Sequence, residues 1–276
     1  MNVIQAAILG IIQGLTEFLP ISSSAHLVLF PLYMGWHVNP EANVTYDVIV
    51  HFGTLMAVLT FFYKDVSKLA SALIKSIFER KIGNDPYRRM AWFLIIGTIP
   101  TGIVYLFIKK LLEDTLKTPS YVGIFLLITG VLLVAGERIG KRAESVNDLK
   151  TTDVVFIGFV QGLAILPGIS RSGSTIAAGL FRGLTREEAA RFSFLLSIPV
   201  IVAAALEKIK EVASAGVHGG ELAILIAGFV TAAITGYFAI KYFLDYLKKH
   251  SLYVFALYCF ALGATTIALT ALKVLK

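Results

Sequence analysis

Two charged side chains interrupt apolar sequence at matching places. Glu17 lies in Gln13-Gly-Leu-Thr-Glu-Phe-Leu-Pro-Ile-Ser-Ser-Ser-Ala-His26, and Arg171 lies in Pro167-Gly-Ile-Ser-Arg-Ser-Gly-Ser-Thr175. If both segments sit in lipid, each charge costs about 2.5 to 3.5 kcal/mol at a helix centre, so each asks for a function. Beside Glu17 stand the hydroxyls of Ser22 and Ser23 and, three residues past Ser23, His26. That spacing puts Ser23 and His26 on one helix face and suits a hydroxyl nucleophile next to a proton-transfer group. Ser-x-x-His alone is a weak signal, because serines also cap helices. Around Arg171, the hydroxyls of Ser170, Ser172 and Thr175 crowd the expected start of a helix. Backbone N–H groups at a helix N-terminus make an anion site, and arginine adds a fork that matches phosphate oxygens.

Structural readings compete with each of these. Glu17 and Arg171 serve equally as an ion pair that ties two segments together, and Arg171 as a side chain that snorkels from a serine-rich turn. Gln13, one helical turn before Glu17, and Gln161 in the second segment fit structural amides linking helices. His51, in the run 47–63, has two readings, facing a cavity or packing, of which packing is preferred, while His37, His218 and His250 fall in expected loops. No metal cage is legible around Glu17. A divalent ion there would draw most of its oxygens from a phosphate substrate, as Mg²⁺ commonly does.

The elements that must position these residues follow from an internal repeat. Gly10-x-x-Gln13-Gly14-Leu15 recurs as Gly158-x-x-Gln161-Gly162-Leu163, each followed by a proline and then Ile-Ser-x-Ser. The repeats cover about residues 1–137 and 152–276 of a single membrane domain, 1–276. Repeats of this kind often have inverted topology, with broken helices meeting near the midplane. The setting is lipid: 57% of the 276 residues are apolar and 16% charged, with a mean hydropathy of +0.77, against about 25% charged in a soluble domain. Runs 91–108, 121–136, 222–240 and 252–272 carry no charge, and a spanning helix needs about 20 apolar residues. Their Ser, Thr and Gly interruptions fit helix packing in lipid, and they lack the alternation of a β-barrel.

Charge then orients the chain. No lysine or arginine precedes Lys64, and residues 64–89 carry seven. By the positive-inside rule the 64–89 loop is cytoplasmic and the first 63 residues lie outside or in the membrane. Only the run 47–63 is free to cross between them. The stretch broken at Phe18-Leu19-Pro20 therefore enters from outside and returns, and the segment 152–184 does the same from the inside. The expected fold is all-α, an integral membrane protein with about six full transmembrane helices and two opposed re-entrant helical hairpins. That topology places 17 of the 25 basic residues inside, seven outside (109–117 among them), and Arg171 in the membrane. The formal charge of +7 is thereby explained by topology, so nucleic acid is not expected as a partner. The N-terminus shows no basic n-region of a cleaved signal peptide. The single cysteine, Cys259, excludes an internal disulfide.

Over essentially its whole length the sequence resembles the undecaprenyl-pyrophosphate phosphatases of the bacitracin-resistance type. The resemblance is carried by the Gln13–His26 block and the Pro167–Thr175 block. It implies hydrolysis of a polyprenyl diphosphate to the monophosphate and inorganic phosphate, recycling a lipid carrier for envelope polysaccharide. It implies functional roles for Glu17, Ser23, His26, Ser170, Arg171 and Thr175. Taken with the chemistry of the neighbouring side chains, Glu17, Ser23, His26 and Arg171 are expected to be catalytic, and Gln13, Ser22, Ser170, Ser172 and Thr175 to bind substrate. It also implies dependence on Mg²⁺ or Ca²⁺ through Glu17, and a site opening to the outer face of the plasma membrane. Membrane lipids are the expected surroundings, and a homodimer is compatible with such a chain. Many relatives carry glutamate where Gln13 stands, which removes one metal-binding charge. On the sequence, Ser23, a water and His26 remain three candidates for the nucleophile. A transporter or flippase for polyprenyl phosphates is the alternative from another class, since opposed hairpins with a buried ion pair are a common transporter device.

Overall fold

The computed structural model describes residues 1–36, 40–114, 118–215 and 221–275; His37, His218 and the end of the 109–117 loop lie outside them. Among these residues the regular elements are all helices, with no strand. The elements are α1 (Val3–Phe18), α2 (Ser23–Tyr33), α3 (Pro40–Phe61), α4 (Tyr63–Phe78), α5 (Pro86–Asp114), α6 (Pro119–Ile139), α7 (Thr151–Leu163), α8 (Arg171–Phe181), α9 (Arg186–Ala215), α10 (Glu221–Leu247) and α11 (Tyr253–Ala271). Among the described residues five helices are long and apolar enough to cross a membrane, namely α5, α6, α9, α10 and α11. A sixth is added if α3 and α4, bent by 86° at their junction, count as one span. Apolar side chains on these helices face outward, among them Leu106, Phe107 and Leu257, as lipid contact requires. The chain is therefore a multi-pass membrane protein.

The helices that carry the site are short. α1 has 16 residues and α7 has 13, about 24 and 20 Å at 1.5 Å per residue, less than the ~30 Å hydrocarbon core. Asn2 and Gln5 form a capping box at the start of α1, each backbone N–H bonded at 2.9 Å to the other's side chain. α1 stops at Phe18 because Pro20 offers no N–H and restricts the residue before it. α2 then starts from Ser22, whose φ of 70° lies in the left-handed region and whose hydroxyl accepts from the Ala25 N–H at 3.3 Å. At the second tip Gly168 has φ +109°, and a Cβ there would stand 2.5 Å from the Val122 carbonyl oxygen. Ser170 caps α8 by accepting from the Gly173 N–H at 3.0 Å.

Packing is exchanged between the two halves. α1 lies against α10 and α3, whereas its counterpart α7 lies against α5; α6 pairs with α11. Glycine permits both exchanges: a Cβ on Gly10 would approach the Gly228 oxygen to 2.5 Å, and one on Gly158 would overlap Gly97. At the end of α6, the buried carboxylate of Glu137 receives Arg186 at 2.6 and 2.7 Å, Arg142 at 3.0 Å and the Leu252 N–H at 2.9 Å. This cluster locks α6, α9 and α11 together.

Candidate active site

The end of α1 and the start of α8 meet at Glu17. Its Oε1 accepts from Arg171 Nη2 at 3.0 Å. Its Oε2 accepts from Ser23 Oγ at 2.5 Å and from Gln13 Nε2 at 3.0 Å. Glu17 is 6% exposed and Gln13 fully buried, so the carboxylate's desolvation is offset by one cation and two neutral donors. Four of the residues singled out in the sequence, from places 158 positions apart at the extremes, thus form one bonded group. A second link joins the tips: Ser172 Oγ donates to the Leu19 carbonyl at 3.0 Å.

The group opens onto a cavity of about 450 Å³. Glu17, Ser22, Ser23, Asp47, His51 and Arg171 make its charged and polar part, with Thr101 and Gln161 beyond them. Val48, Ile165, Ile169, Val200 and Ile201 make an apolar wall. The arrangement offers a cation, a carboxylate and a hydroxyl to an anionic head, and hydrocarbon to the rest of the same ligand.

Several expected residues stand elsewhere. His26 does not line the cavity or bond to Ser23. Its Nδ1–H donates to the Ser22 carbonyl at 2.7 Å, leaving Nε2 to accept from the Tyr258 hydroxyl at 2.7 Å, with the two rings stacked. Ser170 and Thr175 are buried behind Arg171 rather than in the cavity wall. The Ser170 N–H donates to Thr129 Oγ1 at 3.0 Å, and Thr175 Oγ1 lies 2.6 Å from Ser193 Oγ. Ser193 in turn offers its carbonyl to Arg171 Nη1 at 3.5 Å. These two residues hold the arginine's helix in place.

Other residues enter that the sequence ranked low or left out. His51, for which packing was preferred to a place at the cavity, lines the cavity with Nε2 3.8 Å from Glu17 Oε2. Its Nδ1–H donates to the Asp47 carbonyl at 2.6 Å, so in the neutral ring Nε2 presents a lone pair to the site. Asp47 lines the cavity as well. A signal existed in the spacing: Asp47 and His51 are four apart, on one face of the run that follows the first hairpin. Thr101 Oγ1 accepts from Gln161 Nε2 at 2.9 Å, a contact across 60 residues that no local pattern announces.

The profile of the family described as bacitracin resistance protein BacA matches residues 6–265. The chain belongs to this family. Among its relatives is a protein of Methanosphaera stadtmanae named undecaprenyl-diphosphatase, 43% identical over 98% of this chain and 99% of that one. Proteins of the same name from Methanobrevibacter smithii, 42% identical over 95% and 96% of the two chains, and Chloroherpeton thalassium, 40% identical over 100% and 99%, match equally far. The bonded group at Glu17 therefore lies within a BacA-family chain matched almost end to end.

Proposed function

We propose that the protein hydrolyses undecaprenyl diphosphate to undecaprenyl phosphate and inorganic phosphate at the Glu17–Arg171–Ser23 group. The activity returns a lipid carrier to envelope polysaccharide synthesis and, by consuming the diphosphate, gives bacitracin resistance. The observation that carries this reading is the contact of Ser23 with a carboxylate that also holds Arg171, at the polar end of a cavity with an apolar wall. Full-length relatives named undecaprenyl-diphosphatase support the substrate class.

In the proposed reaction Ser23 Oγ attacks the terminal phosphorus while its proton passes to Glu17 Oε2. The bond from that phosphorus to the bridging oxygen breaks, and its electron pair stays on undecaprenyl phosphate. Water then attacks the phosphoserine, the Oγ–P bond breaks, inorganic phosphate leaves, and Ser23 regains a proton. Arg171 meets the charge that grows on the transferred and leaving oxygens, the main task in phosphoryl transfer. His26 would join only by leaving Tyr258.

The donor set fits a divalent cation, Mg²⁺ or Ca²⁺, with a small protein share. Among the described residues no three His, Cys, Asp or Glu side chains converge, but the buried Oε1 of Gln13 has no hydrogen-bond partner and Gln13 is bonded to Glu17. Glu17, at the cavity wall, would hold such an ion, the substrate and water supplying the remaining oxygens, with Gln13 standing behind it, outside the cavity lining. When bound, it supplies neutralisation of diphosphate charge.

The reading extends to architecture. α1–α2 and α7–α8 are proposed as opposed re-entrant hairpins of two inverted repeats, about 1–137 and 152–276, with the cavity opening to the outer face. Support comes from the matched motifs, the short broken helices and the exchanged packing. The deciding assay is phosphate release by the purified protein from a C55 diphosphate, with and without EDTA. Release that EDTA abolishes and Mg²⁺ restores is the expected result. No release in either condition refutes the reaction.

A further inference from the structure

α4 is divided lengthwise into three stripes. At about 100° per residue, Phe62, Leu69, Leu73 and Ser76 share a face. That face packs on the protein: Phe62, Leu69 and Ser76 are buried, and Trp92 Nε1 donates to Ser76 Oγ at 2.9 Å. A second face carries Tyr63, Ile74, Ile77 and Phe78, all exposed, with Phe78 at 84%. The third face carries Lys64, Lys68, Ser71 and Lys75, also exposed. A loop helix in water needs one buried face and one polar face. An exposed apolar stripe running beside a basic one matches the boundary between acyl chains and headgroups.

The position of the helix agrees. α4 follows α3 with a bend of 86° and precedes the candidate span in α5, so it turns off the line of α3 at the end of that helix. Its 16 residues extend about 24 Å along that direction. The charges agree too. Residues 64–89 contain three acids, and each is already bonded to an arginine: Asp65 to Arg191 at 3.1 Å, and Glu79 and Asp85 to Arg88 at 2.6 and 3.7 Å. Lys68 Nζ also donates to the neutral Tyr87 hydroxyl at 3.2 Å, and Lys75 lies within electrostatic reach of Glu79, but three acids against seven basic side chains leave the stripe with net positive charge to meet anions from outside the chain.

We propose that α4 is an interfacial helix that binds anionic phospholipid, with its apolar stripe in the acyl boundary and Lys64, Lys68 and Lys75 on lipid phosphates. Each lysine near an anionic surface favours such a lipid about fivefold. Three together give about a hundredfold at low ionic strength, and salt reduces this.

The test uses the full-length protein in nanodiscs of phosphatidylcholine and phosphatidylglycerol, with spin-labelled lipid of each kind as probe. The wild type holds labelled phosphatidylglycerol in preference to phosphatidylcholine. At low ionic strength that preference falls by up to about a hundredfold in the Lys64→Gln, Lys68→Gln, Lys75→Gln protein, and high salt lowers it in the wild type. Equal preference in the variant and the wild type overturns the proposal. Nitroxides placed at Ile77→Cys and Ser71→Cys check the geometry without relying on lipid choice. Dissolved oxygen relaxes the label at 77, and a water-soluble nickel chelate relaxes the label at 71. Equal access of the nickel chelate to both positions also overturns the proposal.

Discussion

Glu17 and Arg171 pose a question that single substitutions answer badly, because removing one partner strands the other charge in a buried place. A buried pair that only joins two hairpins is often replaceable by apolar residues without loss of stability. A pair that handles diphosphate is not replaceable in function. The Glu17→Gln, Arg171→Leu protein is therefore expected to fold, by its thermal transition in detergent, and to release no phosphate. Measurable turnover would return the pair to a structural role. Ser23 gives a second prediction. Loss of one transition-state donor costs about 100- to 1000-fold, and loss of a covalent step costs more. Ser23→Ala is expected to lose more than about 1000-fold, and rapid quenching of the wild type to trap phosphoserine at position 23. If Ser23→Ala keeps a tenth of the rate, the hydroxyl does not attack. The meeting of Glu17 with Arg171, and of Gln13 with Glu17, was legible in the repeat and in helical spacing, whereas the bond from Ser23 to Glu17 was not, because the sequence set Ser23 beside His26. Nor was the orientation of His26. Its partner Tyr258 is 232 residues away, and the Ser-x-x-His spacing pointed to a nearer one.

At the scale of elements, breaks written in proline and glycine were legible and breaks made by packing were not. α1 ends before Pro20, and the second tip turns at Gly168, where the positive φ excludes a side chain. The 86° bend between α3 and α4 falls at Phe62, with neither proline nor glycine and no side-chain cap. It is set by distant groups: Phe62 is buried beneath the Arg191 guanidinium, which also bonds Asp65. Glu137 was equally hidden, since its three partners come from the following loop, α9 and the start of α11. Removing one side of such a buried cluster costs about 3 to 5 kcal/mol. Glu137→Ala is expected to lose about that much stability, read as the shift in thermal or denaturant unfolding in detergent. A shift below about 1 kcal/mol, the range of surface pairs, would show that water already reaches the cluster.

For the whole molecule, the orientation in the membrane decides which compartment supplies the substrate head. The composition and apolar runs made a polytopic chain legible, and among the described residues five candidate spans, with a sixth only if α3 and α4 are taken together, come close to the expected number of about six. Their number alone gives no direction. Direction comes from the basic residues, with none before Lys64 and seven in 64–89. Membrane insertion holds short basic loops on the cytoplasmic side, so the proposed topology turns that loop inward and the chain before it outward. The single natural cysteine, Cys259, is buried, so introduced thiols can be read over a low background. A cysteine at Lys81, exposed just beyond α4, is expected to react with an impermeant maleimide only after the cells are opened. A cysteine at Lys273, exposed after α11, is expected to react in intact cells. An odd number of crossings separates the two sites in the proposed topology, so their labelling must be opposite. The same labelling at both would remove a crossing and with it the opposed hairpins. Opposite labelling with the sides exchanged would keep the repeat and turn the Glu17 cavity to the cytoplasm.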